Sequence, residues 1–125
     1  MKTFKKSILA LGLAMGVLAS IGLSSFAASG QIAGYYTSGD SSISSTSGSA
    51  YTSYGDYGSV AVNSTYSWVN TKTLATGTQS RNNGHYKSTS VSFSAPSNSR
   101  SVAISSSHSV SAHGQSWSAT SSRVY

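Results

Sequence analysis

Apolar and polar residues alternate clearly from about residue 58 onward. Val60, Val62, Tyr66 and Trp68 share one parity, and Val91, Phe93 and Ala95 share another. Val102, Ile104, His108, Val110 and Ala112 form a third set, opposed by Ser101, Ala103, Ser105, Ser107, Ser109 and Ser111. Successive side chains of a strand point to opposite faces, so each run predicts a strand with one apolar and one hydroxyl face. Such strands suit antiparallel sheets covered on one side. No stretch after residue 27 shows a helical period.

Turn signals separate the runs. Asn82-Asn83-Gly84 reads as a hairpin, because Asn and Gly tolerate the positive φ that tight hairpins need. Ala95-Pro96-Ser97-Asn98 and His113-Gly114-Gln115 read as two more turns, and Asn70-Thr71 as a weaker one. Five strands result, over about 59–69, 72–80, 85–95, 100–112 and 115–124. The expected fold is all-β: a small antiparallel β-sandwich or barrel built from hairpins, without disulfides.

Residues 28–57 are dominated by Ser and Gly, with Tyr35, Tyr36, Tyr51, Tyr54 and Tyr57 among them. That composition reads as a flexible linker or as short edge strands. Strands are favoured, because the 58–125 core is thin without them. A faint repeat relates 59–67 to 101–109, with five of nine positions identical. It suggests related strands in equivalent places of two sheets, or shared composition alone.

The N-terminal region carries a different signal. Lys2, Lys5 and Lys6 precede an apolar run from Ile8 to Leu23, followed by Ser24-Ser25-Phe26-Ala27-Ala28. The run falls short of the about 20 residues needed to span a bilayer. Small residues at Ser25 and Ala27 fit the −3 and −1 positions of a signal-peptide cleavage site between Ala27 and Ala28. The expected organisation is a signal peptide over 1–27, a Ser/Gly/Tyr-rich segment over 28–57 and a β domain core over 58–125. The product is expected to be secreted, with no stable membrane insertion.

Composition then narrows the chemistry. After residue 27 the cations Lys72, Arg81, Lys87, Arg100 and Arg123 face only Asp40 and Asp56, leaving a net +3. That is weak attraction to anionic surfaces, and no nucleic-acid partner is expected. Leu, Ile, Val and Phe number 12 of these 98 residues, so Tyr and Trp must supply apolar area. With no Cys and no Glu, thiolate chemistry is out of reach and only one carboxylate pair exists. No Gly-x-Ser-x-Gly elbow is present. No catalysis, cofactor or metal is expected.

His108 falls on the apolar face and reads as a hydrogen-bonded core histidine. His108 and His113 are an odd number apart and should face opposite ways. The candidate binding face is Tyr51, Tyr54 and Tyr57 together with the cluster Arg81, His85, Tyr86 and Lys87. Tyrosine offers a rigid face plus a hydroxyl, as in many binding loops. The expected function is a secreted, non-catalytic domain that binds a cell-envelope or surface partner, a cell-wall glycan or a protein. The segments Ser49-Ala50-Tyr51-Thr52-Ser53-Tyr54, His113-Gly114 and Trp117-Ser118-Ala119, with the leader and absence of cysteine, resemble lactococcin-type bacteriocins. The resemblance implies a small secreted β protein with antibacterial action at the envelope of related bacteria. A structural or matrix protein is a further alternative.

Overall fold

The computed structural model describes residues 28–125. The leader over 1–27, including Ala27 of the cleavage site, lies outside the described residues; Ala28 opens the first strand. Eight strands follow in order: β1 (Ala28–Ile32), β2 (Tyr35–Ile43), β3 (Ser47–Tyr54), β4 (Ser59–Asn70), β5 (Thr76–Tyr86), β6 (Ser88–Ser94), β7 (Ser99–Ala112) and β8 (Gln115–Val124). They form two antiparallel four-stranded sheets, ordered β1-β2-β3-β6 and β5-β4-β7-β8. The sheets pack face to face, which makes the fold a sandwich. The Ser/Gly/Tyr-rich segment is therefore three strands of the first sheet.

Two connections are tight hairpins whose central residues all have positive φ, Ala33-Gly34 and His113-Gly114. Three of the seven connections instead change sheet, at 55–58, at Lys87 and at 95–98. The fold is thus only partly built from hairpins.

The interior has two apolar clusters. Ala50, Val62, Tyr66, Val91, Phe93 and Ile104 form one, with Tyr66 and Phe93 stacked at 5.3 Å. Ile32, Tyr54, Val60 and Val110 form the other. The inner positions of β2 and β3 include Thr37, Gly39, Ser41, Gly48, Ala50 and Thr52, all small. Their size matches what faces them. A Cβ on Gly30 would lie 2.4 Å from Trp117 Nε1, on Gly39 2.3 Å from His108 Cγ, and on Gly48 2.9 Å from Tyr66 Cδ2. The bulky side chains of the second sheet thus sit in glycine sockets of the first, a close-packed arrangement that a linker could not supply.

Three sequence expectations need correction. Asn82-Asn83-Gly84 is not a hairpin: β5 runs straight through it, with Asn63 opposite Asn82 and Ala61 opposite Gly84. The chain turns later, at Lys87, whose φ of 70° lets β6 cross into the other sheet. Val102 does not share the inner face with Ile104. A β-bulge pairs Ser67 with Ala103 but Trp68 with Ser101, so Val102 is the extra residue and Ser101 turns inward to meet the Tyr66 hydroxyl at 2.7 Å. The repeated strands are not in two sheets. β4 and β7 are the adjacent central strands of one sheet, related by a local two-fold at Ser64 and Ser106. That symmetry places Val62 opposite His108 and Ile104 opposite Tyr66.

Candidate binding site

The strand ends gather aromatic and titratable residues at one end of the sandwich. Tyr57, in the β3–β4 connection, stacks on Tyr86, the last residue of β5, with ring centroids 5.0 Å apart and planes 11° from parallel. Both rings remain open to solvent, 65% and 52% exposed. His85 lies 6.1 Å from Tyr86, and exposed Lys87 follows at the crossover. The crossover is fixed by its backbone: Lys87 N donates to Gly58 O at 3.1 Å, and Tyr54 N donates to Lys87 O at 2.8 Å. These bonds hold the loop that carries Tyr57 against the strand that carries Tyr86.

The same end holds an ion pair, His113 Nε2 to Asp56 Oδ2 at 3.0 Å. The hydrogen bond from His113, then one from the Tyr57 backbone, hold the Asp56 carboxyl below its ordinary range. Tyr35 and Tyr36 at the β1–β2 hairpin are also exposed.

The seven predicted face residues are not one surface. Tyr57, His85, Tyr86 and Lys87 come together. Tyr51 stands on the outer face of β3 and shares a groove of about 520 Å³ with His85, Asn83 and Ser90. Tyr54 points inward at 4% exposure, and its hydroxyl donates to Ile32 O at 3.1 Å. Burial, then the charge of Asp56, pushes its phenol pKa up. Arg81 faces away from Tyr86, with its guanidinium carbon 5.8 Å from the Phe93 ring centre. There it closes the seam between β5 and β6, beside Asn83 Nδ2 donating to Ser90 O and Gln79 Nε2 donating to Ser94 O.

His108 is a core residue. It is 1% exposed, with Nδ1 2.9 Å from Thr52 Oγ1 and Nε2 2.7 Å from Ser121 Oγ. Thr52 donates to Ala61 O, which leaves the Nδ1 proton for Thr52 to accept and Nε2 to face Ser121. Contacts continue through Ser41, 2.6 Å from Ser121, to Ser106 and then Ser64. The row Ser64–Ser106–Ser121 crosses the interior between the apolar clusters, so buried hydroxyls satisfy one another. Burial holds the imidazole below its ordinary pKa, while Asp40 and a backbone bond at Tyr51 act in the other direction. A serine beside a histidine is the raw material of a nucleophile–base pair. Here both groups are sealed from solvent, and each reaches a side chain of the first sheet, His108 to Thr52 and Ser121 to Ser41.

Asp40 and Arg123 clasp the sheets from outside. Arg123 Nη2 donates to both carboxylate oxygens at 3.1 and 3.2 Å, and Nε donates to Ser41 O at 2.9 Å. Among the described residues no group of three metal-ligating side chains lies together.

Sequence reasoning missed the outward face of the second sheet. There Asn63 and Asn82 stand side by side across β4 and β5, among serines of β7 and β8. The available signal is the serine parity opposite the core, which marks the hydroxyl face of each strand. Comparison of the chain with family models, curated proteins and solved structures finds no match. The segments that resemble lactococcin-type bacteriocins lie in β3 and in the β7–β8 hairpin.

Proposed function

We propose that the protein is a secreted, non-catalytic binding domain that holds a cell-envelope glycan against the paired rings of Tyr57 and Tyr86. The observation that carries this reading is the exposed stack itself, 5.0 Å between centroids and fixed by the Lys87 backbone bonds. A flat ring already held in place loses little conformational freedom when a sugar stacks on it. A net +3 over 98 residues adds little to binding at physiological salt, where screening acts beyond about 8 Å.

The test is retention on purified cell walls at ionic strengths of about 0.01 M and about 1 M, where the screening length falls from roughly 30 Å to 3 Å. Wild-type retention should change little between them. The double variant Tyr57→Ala, Tyr86→Ala should lose about tenfold in affinity, consistent with two aromatic contacts of ~0.5–1.5 kcal/mol each. Retention that disappears in high salt, or that survives the double variant, overturns the proposal. Tyr54→Ala has no place in this experiment, since it cuts into the core.

A further inference from the structure

The second sheet carries, on its outward face, a shallow groove of about 900 Å³ that crosses all four strands. We infer that this groove is a subsite for an uncharged oligosaccharide, laid across the strands beside Tyr86, which stands on the same face two residues beyond Gly84 along β5. The inference rests on the glycan-binding reading above and names the class of glycan.

The register determines what the groove presents. Gly84 on β5 and Ala61 on β4 are opposite each other and form its low floor. The next row has Asn82 opposite Asn63, followed across the sheet by Ser107 and Thr120. Neither carboxamide side chain is engaged by another group among the described residues. Beyond the floor on the other side, Tyr86 stands opposite Ser59 on the same face. Strands about 4.8 Å apart and rows about 6.8 Å apart make this a regular lattice of small polar groups next to an aromatic wall.

The chemistry selects the ligand. Carboxamides and hydroxyls both donate and accept hydrogen bonds, as sugar hydroxyls do. Among the described residues no Lys, Arg, Asp or Glu lines the groove, so an anionic polymer would be desolvated there without a counter-charge. The floor offers no large apolar anchor of the kind that dominates protein interfaces. The ring face of Tyr86, backed by Tyr57, meets the apolar C–H face of a pyranose. The glycine matters because a side chain at position 84 would fill the depression. A Cβ there meets only Val60 O, at 3.5 Å, so the position has room that the fold itself does not use.

The experiment is an NMR titration of ¹⁵N-labelled protein. The probes are soluble N-acetylglucosamine oligosaccharides and β-1,3-glucan oligosaccharides, with oligogalacturonate as the charged control. An uncharged probe should shift the side-chain amides of Asn63 and Asn82 and the backbone amides of Gly84, Ser109 and Ser118. Gly84→Leu should weaken that binding at least about tenfold, with the amide spectrum away from the groove unchanged. Asn82→Ala should weaken it without filling the groove. Absence of shifts with every uncharged probe, a response to oligogalacturonate alone, or unchanged binding in Gly84→Leu overturns the assignment. Cell-wall retention separates it from the broader reading. Retention lost in Tyr57→Ala, Tyr86→Ala but kept in Gly84→Leu overturns the groove and leaves envelope binding standing. Groove shifts with an uncharged probe in a protein that does not bind walls support the groove and overturn the envelope.

Discussion

Gly39 is a socket whose occupant cannot move, and Gly39→Ala tests the packing argument directly. Its Cβ would lie 2.3 Å from Cγ, 2.5 Å from Nδ1 and 2.8 Å from Cβ of His108. The ring is held on both sides, by Thr52 at 2.9 Å and Ser121 at 2.7 Å, so it yields only by giving up hydrogen bonds. Overpacking of this kind costs about 1–3 kcal/mol. Each hydrogen bond lost adds roughly 0.5–1.5 kcal/mol. The smaller backbone entropy of the unfolded alanine chain offsets about 0.4–1 kcal/mol. The net expectation is a loss of about 2–4 kcal/mol, or a fall of roughly 10–30 °C in Tm for a domain of this size.

Gly84→Ala is the matched control. It makes the same chemical change on a strand, but its nearest neighbour is a carbonyl at 3.5 Å, and it should be neutral or slightly stabilising. Thermal unfolding followed by circular dichroism and calorimetry compares the two variants. His108→Ala costs stability by itself, through the cavity and through lost bonds to Thr52 and Ser121. The double variant Gly39→Ala, His108→Ala should be no less stable than His108→Ala alone, since the added methyl enters the vacated volume. A Gly39→Ala protein that melts within about 3 °C of wild type, or two variants whose costs simply add, would contradict the close fit of His108 against Gly39.

Two further outcomes are expected. Burial depresses the folded-state pKa of His108, whereas the unfolded chain takes up that proton near about pH 6.5. The contribution to stability is therefore complete above about pH 6.5 and is lost as pH falls toward the depressed folded value, by at most ~1.4 kcal/mol per unit. Urea midpoints at about pH 7.5 and about pH 5.5 measure it: the wild-type midpoint should fall on acidification, His108→Gln should fall less, and a wild-type midpoint that rises contradicts the assignment. Val91→Asp, at a site 7% exposed in the apolar cluster, should abolish the cooperative transition, whereas Ser92→Asp on the wet face should stay within about 0.5 kcal/mol of wild type. Equal circular dichroism melts for the two would mean that the faces are wrongly assigned.

The strands legible from large apolar residues on one parity are β4, β6 and most of β7, whereas β8 is marked by the His113-Gly114 turn before it. β5 was hidden because both its faces are polar. Its inner parity, Gln79, Arg81, Asn83 and His85, reaches over the rim towards β6 and leaves no apolar mark. An Asn-Asn-Gly sequence inside such a strand looks like a turn until its partner is known. The bulge at Val102 was illegible for a related reason: the parity of a strand can shift where its neighbour keeps a different count. In β1 to β3 composition leaves a linker open beside the favoured strands, because the residues that fill their inner face belong to the other sheet. As for the site, composition pointed to Tyr57, His85, Tyr86 and Lys87, which do converge. It could not show that Tyr54 turns inward or that Arg81 closes a seam, since both depend on which neighbour each strand receives.

The crossover at Lys87 has a consequence for timing. The first sheet takes its fourth strand from residues 88–94, and its inner serine, Ser41, finds its hydroxyl partners 65 and 80 residues later, at Ser106 and Ser121. Asp40 waits still longer, for Arg123. A chain emerging from its N-terminal end can close early hairpins, but they have almost nothing apolar to hide until β4, β6 and β7 arrive. The last strand then supplies Trp117 for the Gly30 socket and the arginine that clasps the two layers. Pairings between segments so distant in the chain carry a large loop-closure cost, which slows folding. A chain that lacks its final ten or so residues has neither that tryptophan nor that arginine, so its two layers would be left unclasped.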